Sequence, residues 1–301
     1  MGFHSGELEV QRQAGVRARA DEVGESIADF VSDGVANFLE HRRMVMLGTV
    51  DCRRHAWASL ITGEPGFISI TDPRIVRVGA LPPAGDPLLE NLAKESHTAL
   101  LAIDFLGARR VRINGRGIIK DGAIEITTEQ VYGNCRRYIQ ERMILAGSEQ
   151  TRGTQEATIV RSSALSLAQR QQISEADTFF IATDHPENGA DVSHKGGNAG
   201  FVRIIDARHL AFPDYNGNSM FNTLGNITVN QKAGLLFIDF NGGRTLQITG
   251  AAAIDWNSER ARGLAGAERV VDFEIDEVID NSFGFPLIAK FRQFSRFNPT
   301  L

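Results

Sequence analysis

Cysteine is almost missing from this 301-residue chain: Cys52 and Cys135 are the only two. Their spacing fits no metal motif, and so low a count suits a reduced compartment better than a disulfide-stapled secreted fold. Long apolar runs are missing too. Runs such as Met44–Leu47 and Leu235–Ile238 have strand length, far below the roughly 20 residues of a membrane-crossing helix. The opening stretch MGFHSGELEVQRQAG has no apolar centre, so no secretory signal is expected, and Gly6 stands where a myristoylation pattern needs Ser or Thr. Neither sign of charge dominates: 32 Lys and Arg face 37 Asp and Glu, a net −5, which argues against general nucleic-acid affinity. These absences predict a cytoplasmic protein with no nucleic-acid and no membrane partner.

The familiar catalytic signatures are missing as well. No G-x-G-x-x-G stands between a strand and a helix, and there is no Walker A loop, H-E-x-x-H, C-x-x-C or G-x-S-x-G. The glycines of His194 to Gly200 lead into a strand, which excludes a dinucleotide-binding turn. Seven scattered histidines (His4, His41, His55, His97, His185, His194, His209) show no ligand spacing, so no metal site is expected. Asn226-Ile227-Thr228 is a formal glycosylation sequon that stays unmodified without a signal peptide.

What the chain does contain is itself, twice. Leu100 to Phe105 (LLAIDF) matches Leu235 to Phe240 (LLFIDF), and Arg109 to Gly115 (RRVRING) matches Arg244 to Gly250 (RTLQITG), both 135 residues on. Gly66 to Asp72 matches Gly200 to Asp206, and Leu47-Gly48-Thr49 matches Ile181-Ala182-Thr183, both at 134. Asn91-Leu92 matches Asn226-Ile227 at 135. Five matches in one order at nearly one offset are an internal repeat. The boundaries expected are 1–150 and 160–301, with the polar segment Gly147 to Arg161 as linker. Asp104 and Asp239 recur in both copies, which favours a structural role such as capping a turn.

Each copy reads as short strands. Val45–Val50, Gly66–Ile70, Ala99–Phe105 and Val111–Ile119 in the first are answered by Thr178–Thr183, Phe201–Ile205, Gly234–Phe240 and Thr245–Ile254 in the second, with Val270–Ile275 as a closing strand. Helical periods appear at Asp21–His41, Thr128–Leu145 and Ser166–Ala176. The fold class predicted is mainly β with peripheral helices, closer to barrels than to a doubly wound sheet. Trp57 and Phe67 read as core.

The polar density peaks between Ala190 and Asn230. Ser193, His194, Lys195, Asn198, Arg203, Tyr215, Asn216, Asn218, Ser219, Asn222, Thr223 and Asn226 stand there among glycines, a donor set suited to an anionic ligand. The same composition also makes an ordinary loop; Arg203 also reads as a cross-strand partner, and Lys195 as a solvated turn residue.

The order of residues from Asp191 to Arg203 (DVSHKGGNAGFVR), then Pro213 to Ile227, then Gly234 to Phe240 resembles the FMN-binding branch of the pyridoxamine 5'-phosphate oxidase family. The first copy keeps the frame with Trp57-Ala58-Ser59, Gly66-Phe67-Ile68, Asp86-Pro87-Leu88-Leu89 and Asn91-Leu92. The resemblance implies two tandem FMN-binding split β-barrels, FMN as cofactor, and flavin oxidoreduction of a small molecule; the substrate and electron donor stay open. It implies cofactor contacts from Ser193, His194, Lys195, Arg203, Asn218, Ser219, Met220, Phe221, Asn222 and Asn226, with Gln247 as a donor to the ring edge. One departure stands out. Where the family often carries a basic residue this chain has Met220-Phe221, so Lys195 and Arg203 are left to meet the phosphate. Asp86-Pro87 puts an acid in the matching loop of the first copy, whose own site reads as degenerate.

Single-barrel relatives dimerise with flavin in the seam, so the tandem chain is expected to form that seam internally as a pseudo-dimer, with homodimerisation left open. Glu129 to Gln140 resembles the element that reaches across the seam, and its Asn134, Arg137 and Tyr138 would supply an amide, a cation and a ring. A solvated Arg137 and a Tyr138 packed under the barrel are the alternative. The rival function class is a non-catalytic flavin carrier or electron-transfer partner.

Overall fold

The computed structural model describes residues 2–146 and 158–300. Most of the expected linker, up to Ala157, lies outside the described residues. Seventeen strands are described. The first seven are β1 (Met44–Val50), β2 (Ala56–Thr62), β3 (Ile68–Asp72), β4 (Ile75–Val78), β5 (His97–Asp104), β6 (Arg109–Lys120) and β7 (Ala123–Gly133). Next come β8 (Glu141–Leu145), β9 (Ile159–Ser162), β10 (Thr178–His185), β11 (Gly189–Gly196), β12 (Arg203–Ile204) and β13 (His209–Tyr215). The last are β14 (Lys232–Ile238), β15 (Thr245–Asp255), β16 (Ala267–Asn281) and β17 (Ile288–Gln293). One sheet runs β2-β1-β5-β6-β7-β4-β3 and the other β11-β10-β14-β15-β16-β13-β12. The second order is the first with every strand advanced by nine, so the topology repeats as the sequence does. β9 adds to the edge of β16, and β17 pairs with β8, which ties the end of the second half to the end of the first. No helix among the described residues is long and apolar enough to cross a membrane.

The apolar runs explain how the two sheets meet. Successive strand residues face opposite ways, so a half-buried antiparallel strand alternates apolar with polar. β1, β5, β10 and β14 do not alternate, because both their faces are covered. Val45, Leu47, Leu100 and Ala102 point into the first sheet's own core. Phe179, Ile181, Leu235 and Phe237 do the same in the second. The residues between them, Met44, Met46, Leu101 and Ile103 on one side and Phe180, Ala182, Leu236 and Ile238 on the other, form a third apolar cluster that joins the halves. That cluster is the seam.

Backbones approach closely there. A Cβ added at Gly234 would lie 2.9 Å from Trp57 Cα and closer still to the Ala56 carbonyl. Local details repeat as well. Asp104 Oδ1 accepts from the Leu106 and Gly107 amides, and Asp239 Oδ1 from those of Asn241 and Gly242, so both aspartates cap a turn. Asn91 Nδ2 donates to Thr49 Oγ1 at 3.1 Å, and Asn226 Nδ2 to Thr183 Oγ1 at the same distance. Trp57 is buried and Phe67 packs on the first core.

Two helical expectations are corrected. The Asp21–His41 period is split into helices Arg17–Gly24 and Asp33–Glu40. Between them Ala28 exchanges both backbone hydrogen bonds with Val131, and Val31 N donates to Pro73 O, so edge pairing outcompetes helix continuation. The Thr128–Leu145 segment is not helical: it is the end of β7, a turn, and β8. The ladder of β7 with β6 reaches Gly133, and the later residues pair with β17. Ser166 caps the helix Leu167–Glu175 through a capping box, as its sequence suggests. Phe201–Ile205 contributes only the two-residue β12.

Gly234→Ala is expected to destabilise the chain by about 1–3 kcal/mol through overpacking of the seam. Gly34→Ala, where a Cβ would meet nothing within 4 Å, is the control. Thermal unfolding of both checks this, and equal melting temperatures for the two variants would contradict the close approach.

Candidate functional site

A cleft opens at one end of the seam. β6 and the Asn134–Tyr138 segment form one wall; β11, the Gly217–Phe221 turn and the start of helix Asn222–Val229 form the other. It holds about 760 Å³ of atom-free space, its open mouth included.

Arg112 crosses from the first half and organises the floor. Its Nη1 donates to Asp191 Oδ1 at 2.9 Å and to Asn222 Oδ1 at 3.1 Å, and its Nη2 to Ser193 Oγ at 2.6 Å. Thr223 Oγ1 donates to Ser193 Oγ at 2.8 Å. Burial alone would lower the Arg112 pKa, but Asp191 and Tyr132 beside it more than offset that and hold it above its ordinary value.

Arg110, two residues earlier on β6, differs in one respect: among the described residues it has no carboxylate partner. Burial and the neighbouring Arg112 bring its pKa down to about 10, so it still carries its charge at neutral pH. Its Nη1 donates to His194 Nδ1 at 2.9 Å. A guanidinium can only donate, so Nδ1 accepts and the imidazole proton sits on Nε2. Burial, then Arg110, Arg142 and Lys195, hold the His194 pKa well below the ordinary histidine value, so the ring is neutral.

Several polar atoms of the lining have no partner among the described residues. Arg110 Nε, Arg112 Nε, His194 Nε2 and both amide atoms of Asn134 are buried and unbonded. Buried polar groups are normally paired, so such a cluster calls for an explanation. The helix Asn222–Val229 adds to it: Phe221 precedes it in the left-handed region, and no side chain caps its first N–H groups. Those open N–H groups and the helix dipole favour an anion. The backbone is strained here too. Six non-glycine residues among those described have positive φ, and three of them, Tyr138, Ser219 and Phe221, line the cleft.

The residues expected from the sequence are only partly brought together. Ser193, His194, Lys195, Asn218, Ser219, Phe221, Asn222, Asn134 and Tyr138 line the cleft. Lys195 is already neutralised: its Nζ meets Asp214 Oδ1 at 3.0 Å, and Arg269 shares that carboxylate. Arg203 is exposed on β12 and borders a different groove. The Met220 side chain is fully buried beneath the turn, and its carbonyl accepts from Gln11 Nε2 at 2.9 Å. Asn226 is occupied by Thr183. Arg137 lies outside the lining and latches the seam through Asn216 Oδ1, while Tyr138 Oη donates to the Asn216 carbonyl at 3.1 Å. Gln247 is turned away altogether: its Nε2 donates to Ala58 O, Ser59 Oγ and Asp86 Oδ2 at 3.0–3.3 Å.

Arg110 and Arg112 are the residues that the sequence reading missed. The repeat carried the signal: Arg112 stands opposite Gln247 in the matched segments, and Ser193 opposite Ser59. Arg112 binds Ser193 across the seam as Gln247 binds Ser59, so these contacts repeat across the seam and the two sides have diverged in charge.

A second missed contributor is the helix Ser5–Gln13. Glu7 is buried; its Oε1 accepts from Asn222 Nδ2 at 2.6 Å and its Oε2 from His4 N at 2.9 Å. Burial raises its pKa to about 7, from an ordinary value of 4.5. The folded state therefore binds an extra proton between those values, and stability falls as pH rises through that window. Glu7→Gln removes the penalty. Its melting temperature should match wild type near pH 5 and exceed it at pH 8, by an amount corresponding to about 2–3 kcal/mol. A constant difference across pH would contradict the burial of the carboxyl.

No curated protein sequence matches the chain. Among solved structures, a putative pyridoxamine 5'-phosphate oxidase from Lactobacillus delbrueckii is 19% identical, covering 39% of this chain and 94% of its own, with a TM-score of 0.33. HupZ of Group A Streptococcus is 16% identical over 40% of this chain and 97% of its own, also at 0.33. A Clostridium acetobutylicum protein related to general stress protein 26 is 11% identical over 42% and 92%, at 0.32. The sequence match is more direct: residues 165–279 fit the family described as pyridoxamine 5'-phosphate oxidase. This segment runs from the helix Leu167–Glu175 to β16 and holds the β11 wall and the helix start that shape the cleft. The match covers residues 165–279, and over that segment the chain is similar to the pyridoxamine 5'-phosphate oxidase family.

Proposed function

We propose that the chain is two tandem split barrels, residues 1–150 and 160–301, that together bind one FMN in the seam cleft and act as an FMN-dependent oxidoreductase on a small molecule. The observation that carries this reading is Arg110: a cation with no carboxylate partner among the described residues, beside unbonded donors and an uncapped helix start. That set fits a ligand with one anionic end and a flat, hydrogen-bonding body. Arg110 is assigned to the phosphate, replacing Lys195 and Arg203 in that role. Arg112 keeps Ser193, Asn222 and Thr223 in place around it. The neutral His194 offers an Nε2–H donor, and the Asn134 amide offers one donor and one acceptor. Tyr138 and Tyr215, with ring centres 5.0 Å apart, stand side by side in the cleft lining. Flavin, when bound, supplies the redox chemistry, and the protein supplies binding and orientation.

A carrier or electron-transfer role is the second reading. It is favoured by the state of the ionisable groups in the lining: Asp191 and Asp214 are tied to arginines, and His194 is held neutral. Reduction of bound flavin by NADH or NADPH separates the two readings.

Titration with FMN and with riboflavin tests the assignment. Arg110→Ala is expected to weaken FMN by about 10- to 100-fold, the worth of a charge-assisted hydrogen bond of about 1.5–3 kcal/mol, and riboflavin far less. Arg203→Ala should change neither. Equal losses for both ligands would remove Arg110 from the phosphate, and a chain that binds neither would sink the flavin reading.

A further inference from the structure

The Ser219–Asn222 turn combines features that a free loop would not keep. Ser219 has φ 68° and Phe221 φ 63°, both in the left-handed region, where non-glycine residues pay a conformational cost. The helix that follows is uncapped. Such a conformation persists only where its surroundings over-determine it. Part of the restraint is local: the Met220 amide donates to Asn218 Oδ1 at 3.1 Å, and the Arg269 guanidinium lies 4.8 Å from the Phe221 ring centre.

The rest comes from more than 200 residues away in the chain. The helix Ser5–Gln13 lies against the helix Asn222–Val229 at backbone contact. A Cβ on Gly225 would fall 2.7 Å from Glu7 Cα, and one on Gly6 2.7 Å from Val229 Cγ2, so two glycines let the helices touch. From that position Gln11 Nε2 donates to the Met220 carbonyl at 2.9 Å, and Glu7 Oε1 accepts from Asn222 Nδ2 at 2.6 Å. One bond falls in the middle of the turn and one at its end. Gln11 is itself held by Arg17, whose Nη1 donates to its Oε1 at 2.7 Å. Asn222 Oδ1 receives Arg112, so the Glu7 contact continues into the cleft floor.

We propose that the helix Ser5–Gln13 is a positioning strap for the cleft, with Gln11 and Glu7 as positioning residues that hold the Ser219–Asn222 turn and the open helix start in the shape that receives an anion. Neither residue lines the cleft; each acts through the turn. The consequence for a ligand rests on the cofactor reading above, whereas the ordering of the turn does not.

The titratable groups around Glu7 are His4, on which His185 packs, both histidines held below the ordinary pKa by burial, with Arg112 and Asp191 beyond Asn222 and Tyr132, whose pKa burial raises, near them. Glu7 is thus the group of this cluster that titrates near neutrality. Its ionisation adds negative charge behind an anion site, so anion affinity should decline as pH rises through 7.

Hydrogen exchange on the full chain, with and without FMN, tests the strap. In Gln11→Ala and in Glu7→Ala, amides from Ser219 to Leu224 should exchange about tenfold faster than in wild type, while those of β10 and β14 stay unchanged. Glu7→Gln, which keeps an acceptor for Asn222, should restore the wild-type rate and flatten the pH dependence of FMN affinity. Unchanged exchange in both alanine variants, or a rise spread evenly over the chain, would overturn the proposal. Faster local exchange in a chain that binds no FMN would uphold the strap and discard only the cofactor reading.

Discussion

Everything at the cleft depends on the second buried face of four strands. β1, β5, β10 and β14 each carry apolar side chains on both sides, and one side can only be covered by the other half of the chain. Burial of that face is the driving force that brings Arg110 and Arg112, on β6, within reach of β11. Without the seam, Arg112 would lose Asp191, Ser193 and Asn222 together, and those buried groups would have no cation to answer them. The polar site is a consequence of the apolar contact, and the close backbone approach at Gly234 keeps that contact tight.

The two sides of the seam share a pattern and differ in chemistry. On one side an arginine reaches a serine across the seam; on the other a glutamine does. Around Arg112 an additional arginine, an uncapped helix start and unbonded donors leave a demand for negative charge. Around Gln247 the demand is already met from within: Asp86 accepts from Gln247 and from Ser59 Oγ, at 3.0 and 2.6 Å. Burial raises the Asp86 pKa to about 6. An acid in that place would repel a phosphate, which is the expectation its sequence position raised.

Much of this was legible in the sequence, and the reasons are local. The repeat, the strands and the turn-capping aspartates Asp104 and Asp239 follow from residue type and spacing. The wall from Ser193 to Asn222 stood out because its donors are contiguous. The helical periods failed where a backbone found a distant partner, Ala28 with Val131 and β8 with β17, since periodicity says nothing of what lies opposite. Gln247 was assigned to a ring edge but faces the opposite side of the seam. Arg110 and Arg112 were overlooked for the same reason. An arginine on a strand reads as a solvated face until the partner sheet is known, and only its contrast with Thr245 and Gln247 in the other copy hinted otherwise. Glu7 and Gln11, on a helix far from the cleft in sequence, gave no signal.

The central claim is that the seam holds one anion-accepting site and that its counterpart is closed. Calorimetric titration of the full chain with FMN measures this directly. The account predicts a single class of site at one FMN per chain. Two equivalent sites per chain would contradict it.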